Sequence, residues 1–132
     1  MIDRARLETF SYAALRAVAG FMFLWHGSQK LLGVPASKAA PALFSQAWVG
    51  GVIELVCGTL IMLGLFTRPA AFLASGMMAV AYIQFHWQGA FDSAFLPLVN
   101  RGELAVLYCF VFLFVFARGA GAFSLDRQRG RA

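Results

Sequence analysis

The sequence predicts an all-α membrane protein, a bundle of four transmembrane helices, and three observations carry that expectation. Of 132 residues, 61% are hydrophobic, 15% aromatic and only 13% charged, against about a quarter charged in ordinary soluble domains. The apolar residues gather into stretches at about 10–33, 45–66, 69–87 and 98–117, each near the roughly 20 residues that cross about 30 Å of hydrocarbon. Turn chemistry separates them: GVPASKAAPA at 33–42, GLFTRPA at 64–70 and QGAFDSAFLP at 88–97, rich in Gly, Pro and Asp. A single domain over 1–132 follows, with a basic tail at 118–132 and no internal repeat.

The first stretch is read as retained. Arg4 and Arg6 would suit a signal peptide, but Arg16 interrupts the apolar run and no small-x-small site closes it. At 100° per residue, Arg16, Gly20, Phe23, Gly27 and Lys30 share one stripe, with His26 a turn before Lys30 on its edge. Small residues and charge on one face turn that face into the bundle. Lys30 and Arg16 each have a second explanation, because long stems lift charges to the headgroups. His26 lies too deep for its short side chain to do so.

On the second stretch Glu54 stands near mid-membrane, where a carboxylate costs about 3 kcal/mol unless protonated, paired or hydrated. Gly50, Glu54, Cys57, Ile61 and Gly64 share its stripe, so the acid faces other helices; the plainer reading makes it a structural partner for a cation of the first helix. The third stretch aligns Ser75, Ala79, Tyr82 and His86, although His86-Trp87 also fits an interfacial belt. The fourth opens on Asn100, Arg101 and Glu103, and an acid there also complements a helix N-terminus.

Charge sets the orientation. Arg4, Arg6, Arg68, Arg118, Arg127, Arg129 and Arg131 fall on one side and Lys30, Lys38 and Arg101 on the other, so both termini are expected in the cytoplasm. His26, Lys30, Tyr82, His86, Asn100 and Glu103 then share the outer half of the bundle with Glu54 just beneath, while Arg16 is the main ionisable group of the inner half. Snorkelling alone would decorate both ends, so a polar cavity open to the outer face is the expectation. The net charge of +5 is mostly flanking charge, which points to anionic lipid headgroups and not to nucleic acid.

HGSQKLLG (26–33), GVIELVCGTLIMLGLFTRPAA (51–71), FLPLVNRGELAVLY (95–108) and GAGAFSLD (119–126) resemble the successive signatures of the DoxX family. The resemblance implies a small protein of the bacterial cytoplasmic (inner) membrane. Members have been linked to membrane oxidoreductases: thiosulfate:quinone oxidoreductase has related subunits, and other members couple thiol and radical detoxification. The family pattern marks His26, Gly27 and Lys30; Glu54, Gly58, Gly64 and Arg68; Asn100, Gly102 and Glu103; and Gly119, Gly121, Ser124 and Asp126. Arg68 and the last four fall on the cytoplasmic side, where loop and helix-end chemistry also accounts for them.

The residues limit the chemistry. Cys57 and Cys109 form no CxxC, no His or acid pair sits at i,i+4 on one helix, and the GAG at 119–121 follows a helix where a dinucleotide fingerprint must follow a strand. No metal and no covalently bound cofactor is expected. A quinone suits these limits, since it partitions into the bilayer and its reduction takes up protons that His or Glu can deliver. The leading expectation is an auxiliary or quinone-interacting subunit of a membrane oxidoreductase system, working beside redox partner proteins. A small proton-coupled transporter and a purely structural subunit stand as alternatives, and a homo-oligomer is left open.

Overall fold

The computed structural model describes residues 3–37 and 39–130, so Lys38 and Arg131 lie outside the described residues. Within them the chain is helical, with no strand. Helix α1 runs Arg4–Leu32, starting earlier than the apolar run because the Asp3 carboxylate accepts from the Ala5 N–H at 3.0 Å. It ends at Gly33, whose left-handed φ of 68° only glycine adopts without strain. Helix α2, Gln46–Leu63, is capped by Ser45, which accepts from the Trp48 N–H at 3.2 Å. Helix α3, Thr67–Ala81, continues into a π-helical turn over Tyr82–Trp87.

The expected fourth helix is broken near its start. A short α4, Pro97–Asn100, is followed by Arg101 in the left-handed region (φ 60°), and α5 begins at Glu103 and ends at Arg118. The break is stabilised by Asn100, whose Oδ1 accepts from the Gly102 N–H at 2.8 Å while its Nδ2 donates to the Ala94 carbonyl at 2.8 Å. Gly102 is required there, because a Cβ would lie 2.7 Å from the Tyr82 ring. A last short helix, α6, spans Leu125–Gln128.

The bundle is an all-α membrane protein. Helices α1 and α2 are long and apolar enough to cross a bilayer, with mean hydropathies of 1.2 and 1.6. Large apolar side chains cover the outside of the other helices too: Phe72, Leu73 and Val80 on α3, and Leu107, Phe110 and Phe114 on α5. Inside, α1 and α2 meet backbone to backbone through glycine. A Cβ on Gly27 would lie 2.4 Å from the Leu55 nitrogen and 2.5 Å from the Gly51 carbonyl oxygen, and one on Gly58 would lie 2.5 Å from the Leu24 nitrogen. With lipid as apolar as the helix surfaces, such close approach is a main source of helix association. Phe23 of α1 and Phe112 of α5, packed edge to face at 4.8 Å, centre the core.

At the end of the bundle where α1 starts, the tail folds back as a latch. The Asp126 carboxylate accepts from the Phe66 and Thr67 N–H groups and the Thr67 hydroxyl, each at 2.9 Å, capping α3 from a distance. Arg68 donates to the Phe116 and Ala117 carbonyls that end α5. Arg16, on the inward stripe, is 1% exposed, so its second explanation as a headgroup anchor does not hold. It donates to the Ile61 and Met62 carbonyls at the end of α2 and to the tail at Phe123. A cation at a helix C-terminus also suits the helix dipole.

Burial alone would raise the Asp126 pKa, but the three donors from Phe66 and Thr67, with Arg129 nearby, hold it below the ordinary carboxylate range. A carboxylate lowered in the folded state adds stability that is complete above its unfolded value, near 3.9, and disappears as pH falls through the folded value. The tail is therefore expected to stay docked at neutral pH and to become protease-sensitive only below about pH 4. Asp126→Asn is expected to undock it at pH 7, lowering stability by about 2 kcal/mol, since the amide NH2 accepts no hydrogen bond and would face the N–H donors of Phe66 or Thr67. Limited proteolysis across pH checks both.

Candidate functional site

At the opposite end, where α1 finishes and α2 begins, all the long helices contribute to one cavity of about 540 Å³. Four of the residues expected in a pocket line it: His26 and Lys30 from α1, Glu54 from α2 and His86 from the π-helical turn. Phe23, Met77, Met78, Phe85 and Leu104 supply apolar wall, and Gln46, Arg101 and Tyr108 add polar groups. Gln46 is tied across to Gln84 by a side-chain amide hydrogen bond.

The centre is an ion pair. Lys30 Nζ donates to Glu54 Oε1 at 2.7 Å, with the Glu54 side chain 5% and that of Lys30 32% exposed. The acid is thus buried while its cation keeps access to the surroundings, which offsets part of the cost of a charge at this depth. The second oxygen, Glu54 Oε2, is buried and has no hydrogen-bond partner among the described residues, and neither has the Tyr108 hydroxyl. Tyr108 stacks on Phe112 at 5.4 Å and meets the edge of His26 at 6.2 Å between ring centroids. An acceptor and a donor left unsatisfied in two residues that line one cavity cost about 1–3 kcal/mol each.

His86 Nδ1 lies 3.2 Å from the Asn100 carbonyl oxygen. In the neutral tautomer that donates there, Nε2 is left as an acceptor. The π-helical turn makes this placement, since one extra residue per turn re-aims the side chains that follow.

The other three expected residues do not line the cavity. Tyr82 donates its hydroxyl to the Phe95 carbonyl and accepts from Asn100 Nδ2 at 3.2 Å. With Asn100 it therefore fastens the 88–97 connection and stands behind His86. Glu103 is exposed and makes no ion pair among the described residues, because α5 buries the Ala105, Tyr108, Phe112 and Val115 stripe instead. That stripe, spaced i, i+3, i+7 and i+10, is the signal that would have selected Tyr108.

The motif residues expected on the cytoplasmic side, Arg68, Gly119, Gly121, Ser124 and Asp126, all belong to the latch end. Gly64 accommodates it there: a Cβ on Gly64 would strike Ser124 at 2.4 Å. Cys57 and Cys109 are free thiols, and Ser75 donates to the Cys109 carbonyl at 2.8 Å. Among the described residues no three His, Cys, Asp or Glu side chains gather closely enough to hold a metal ion.

Fold and site together define a small helical membrane protein with a buried acid–base pair beside a cavity between its helices. The sequence profile of the DoxX family matches residues 11–87, and the chain belongs to that family. An uncharacterised protein of Haemophilus influenzae is 44% identical over 135 residues, covering 97% of each chain. An uncharacterised membrane protein of Mycobacterium tuberculosis is 32% identical, covering 89% of this chain and 80% of its own. The inner membrane protein YphA of Escherichia coli is 31% identical, covering 92% and 98%. No solved structure matches the chain.

Proposed function

We propose that this DoxX-family protein is an auxiliary subunit of a membrane oxidoreductase system and that its cavity holds a quinone or a small reductant. The observation that carries the reading is the Lys30–Glu54 pair with Glu54 Oε2 and the Tyr108 hydroxyl left unpartnered beside an aromatic-walled space of about 540 Å³. A quinone ring suits apolar and aromatic walls, its carbonyl oxygen can accept from a phenol, and the hydroxyl of the reduced quinol can donate to a carboxylate. His26 and Glu54 are the groups that exchange protons with the ligand, Lys30 pairs with Glu54, and His86 lines the cavity from the π-helical turn. The redox centre belongs to a partner protein.

The same reading places the protein in the bacterial inner membrane as four spans with both termini cytoplasmic and the cavity in the outer half. It rests on the arginine-rich latch end and the lysine-bearing cavity end. Cysteines introduced into the tail should react with membrane-impermeant reagents only after the membrane is opened. Reaction in intact cells would reverse the orientation.

Gentle purification with native lipids, followed by mass spectrometry, tests the assignment: a copurifying quinone and a redox enzyme are expected, and their absence from active membranes contradicts it. His26→Ala should remove the associated activity while the protein still accumulates. Trp25→Phe, at a neighbouring position that is 37% exposed, should leave it intact. Equal loss in both would mean damaged packing and no proton chemistry at His26.

A further inference from the structure

We propose that a second cavity, at the latch end, is a binding site for a phosphate group, the chemistry shared by an anionic lipid headgroup and free phosphate. The cavity measures about 260 Å³ and lies between the start of α1 and the folded-back tail, lined by Thr9, Tyr12, Arg118, Gly121, Ala122 and Arg127. No acidic residue is in its lining. It shares no residue with the first cavity, and the proposal is independent of what that one holds.

Two arginines supply the recognition. The Arg118 guanidinium lies over the Tyr12 ring, 4.6 Å from its centroid. It is fixed from outside by Glu8 at 2.9 Å, in a pair whose members are 37% and 66% exposed. An exposed pair of this kind is worth under about 1 kcal/mol, so the guanidinium is oriented without being consumed. Arg127 is exposed, and its side chain makes no hydrogen bond or ion pair among the described residues. Two guanidinium forks bordering one recess match the oxygens of a phosphate, which arginine engages in paired hydrogen bonds.

The recess itself is built by the fold. Tyr12 donates its hydroxyl to the Gly119 carbonyl, which pins the tail beside α1. At Gly121, φ is +67° and a Cβ would lie 2.7 Å from the Tyr12 ring; any side chain there would push the tail off its floor. Asp126 and Arg16 anchor the same tail further on. A ligand bridging Arg118 of α5 and Arg127 of the tail therefore ties together elements that the latch already holds.

The test uses the full chain, purified in neutral detergent and delipidated. Thermal unfolding and native mass spectrometry are followed on adding phosphatidic acid, phosphatidylcholine or inorganic phosphate. Phosphatidic acid is expected to raise the melting temperature and to be retained, with phosphatidylcholine inert. Arg127→Gln should weaken retention about tenfold, while Arg129→Gln, the same charge change outside the cavity, should not. Stabilisation by inorganic phosphate alone, with the same dependence on Arg127, assigns the site to a free phosphate; stabilisation by the lipid alone assigns it to a headgroup. Equal losses in the two variants would mean diffuse charge attraction and overturn the site, as would a failure of both phosphate ligands to bind.

Discussion

Gly58→Leu is expected to prevent the bundle from forming. The Cβ of any residue at 58 would lie 2.5 Å from the Leu24 nitrogen and 2.9 Å from the Gly20 carbonyl oxygen. These are backbone atoms, so no side chain can swing aside, and α1 and α2 must separate along the seam that Gly20, Gly27 and Gly58 share. Overpacking a tight interface costs about 1–3 kcal/mol even where neighbours relax; with two helix backbones as the neighbours the loss should exceed that. Unfolding of the purified variant in denaturing detergent checks it. Gly76→Leu is the control, because nothing lies within 4 Å of a Cβ there, and it should melt like the parent. Wild-type stability in Gly58→Leu would contradict the packing of α1 on α2.

Lys30→Met should destabilise the protein by about 3 kcal/mol, because it leaves the Glu54 carboxylate buried without its partner. Glu54→Gln should cost less, since Lys30 keeps access to the surroundings and the amide still accepts a hydrogen bond. The double variant is expected to recover more than half of the Lys30→Met loss, and a cycle of unfolding free energies measures this directly. Additive effects would mean that the pair, 2.7 Å apart, has no energetic coupling.

The helices were legible in the sequence because lipid enforces long apolar runs, and the inward stripe of Arg16, Gly20, Phe23, Gly27 and Lys30 was legible from helical spacing. The depth and inward face of Glu54 were legible for the same reason. What the sequence concealed depends on local breaks and on contacts distant in the chain. The left-handed turn at Arg101 ends α4 and lets α5 restart in a rotation that buries Tyr108 and exposes Glu103, and one uninterrupted helix gave no sign of it. The latch was equally hidden, because Asp126 caps a helix some sixty positions earlier in the chain and no local pattern encodes that pairing. The inward face of Arg16 was legible, but its partners were not, because the carbonyls it binds are brought to it by the end of α2.

Binding of a short-chain quinol to the purified protein tests the central claim most directly. The cavity between Lys30, Glu54, His26 and Tyr108 predicts saturable binding at one site per chain, weakened at least about tenfold by Glu54→Gln or Tyr108→Phe. Glu103→Gln should leave it unchanged, because Glu103 stands outside the cavity. An absence of saturable binding, or a loss in Glu103→Gln equal to that in Glu54→Gln, would contradict the account.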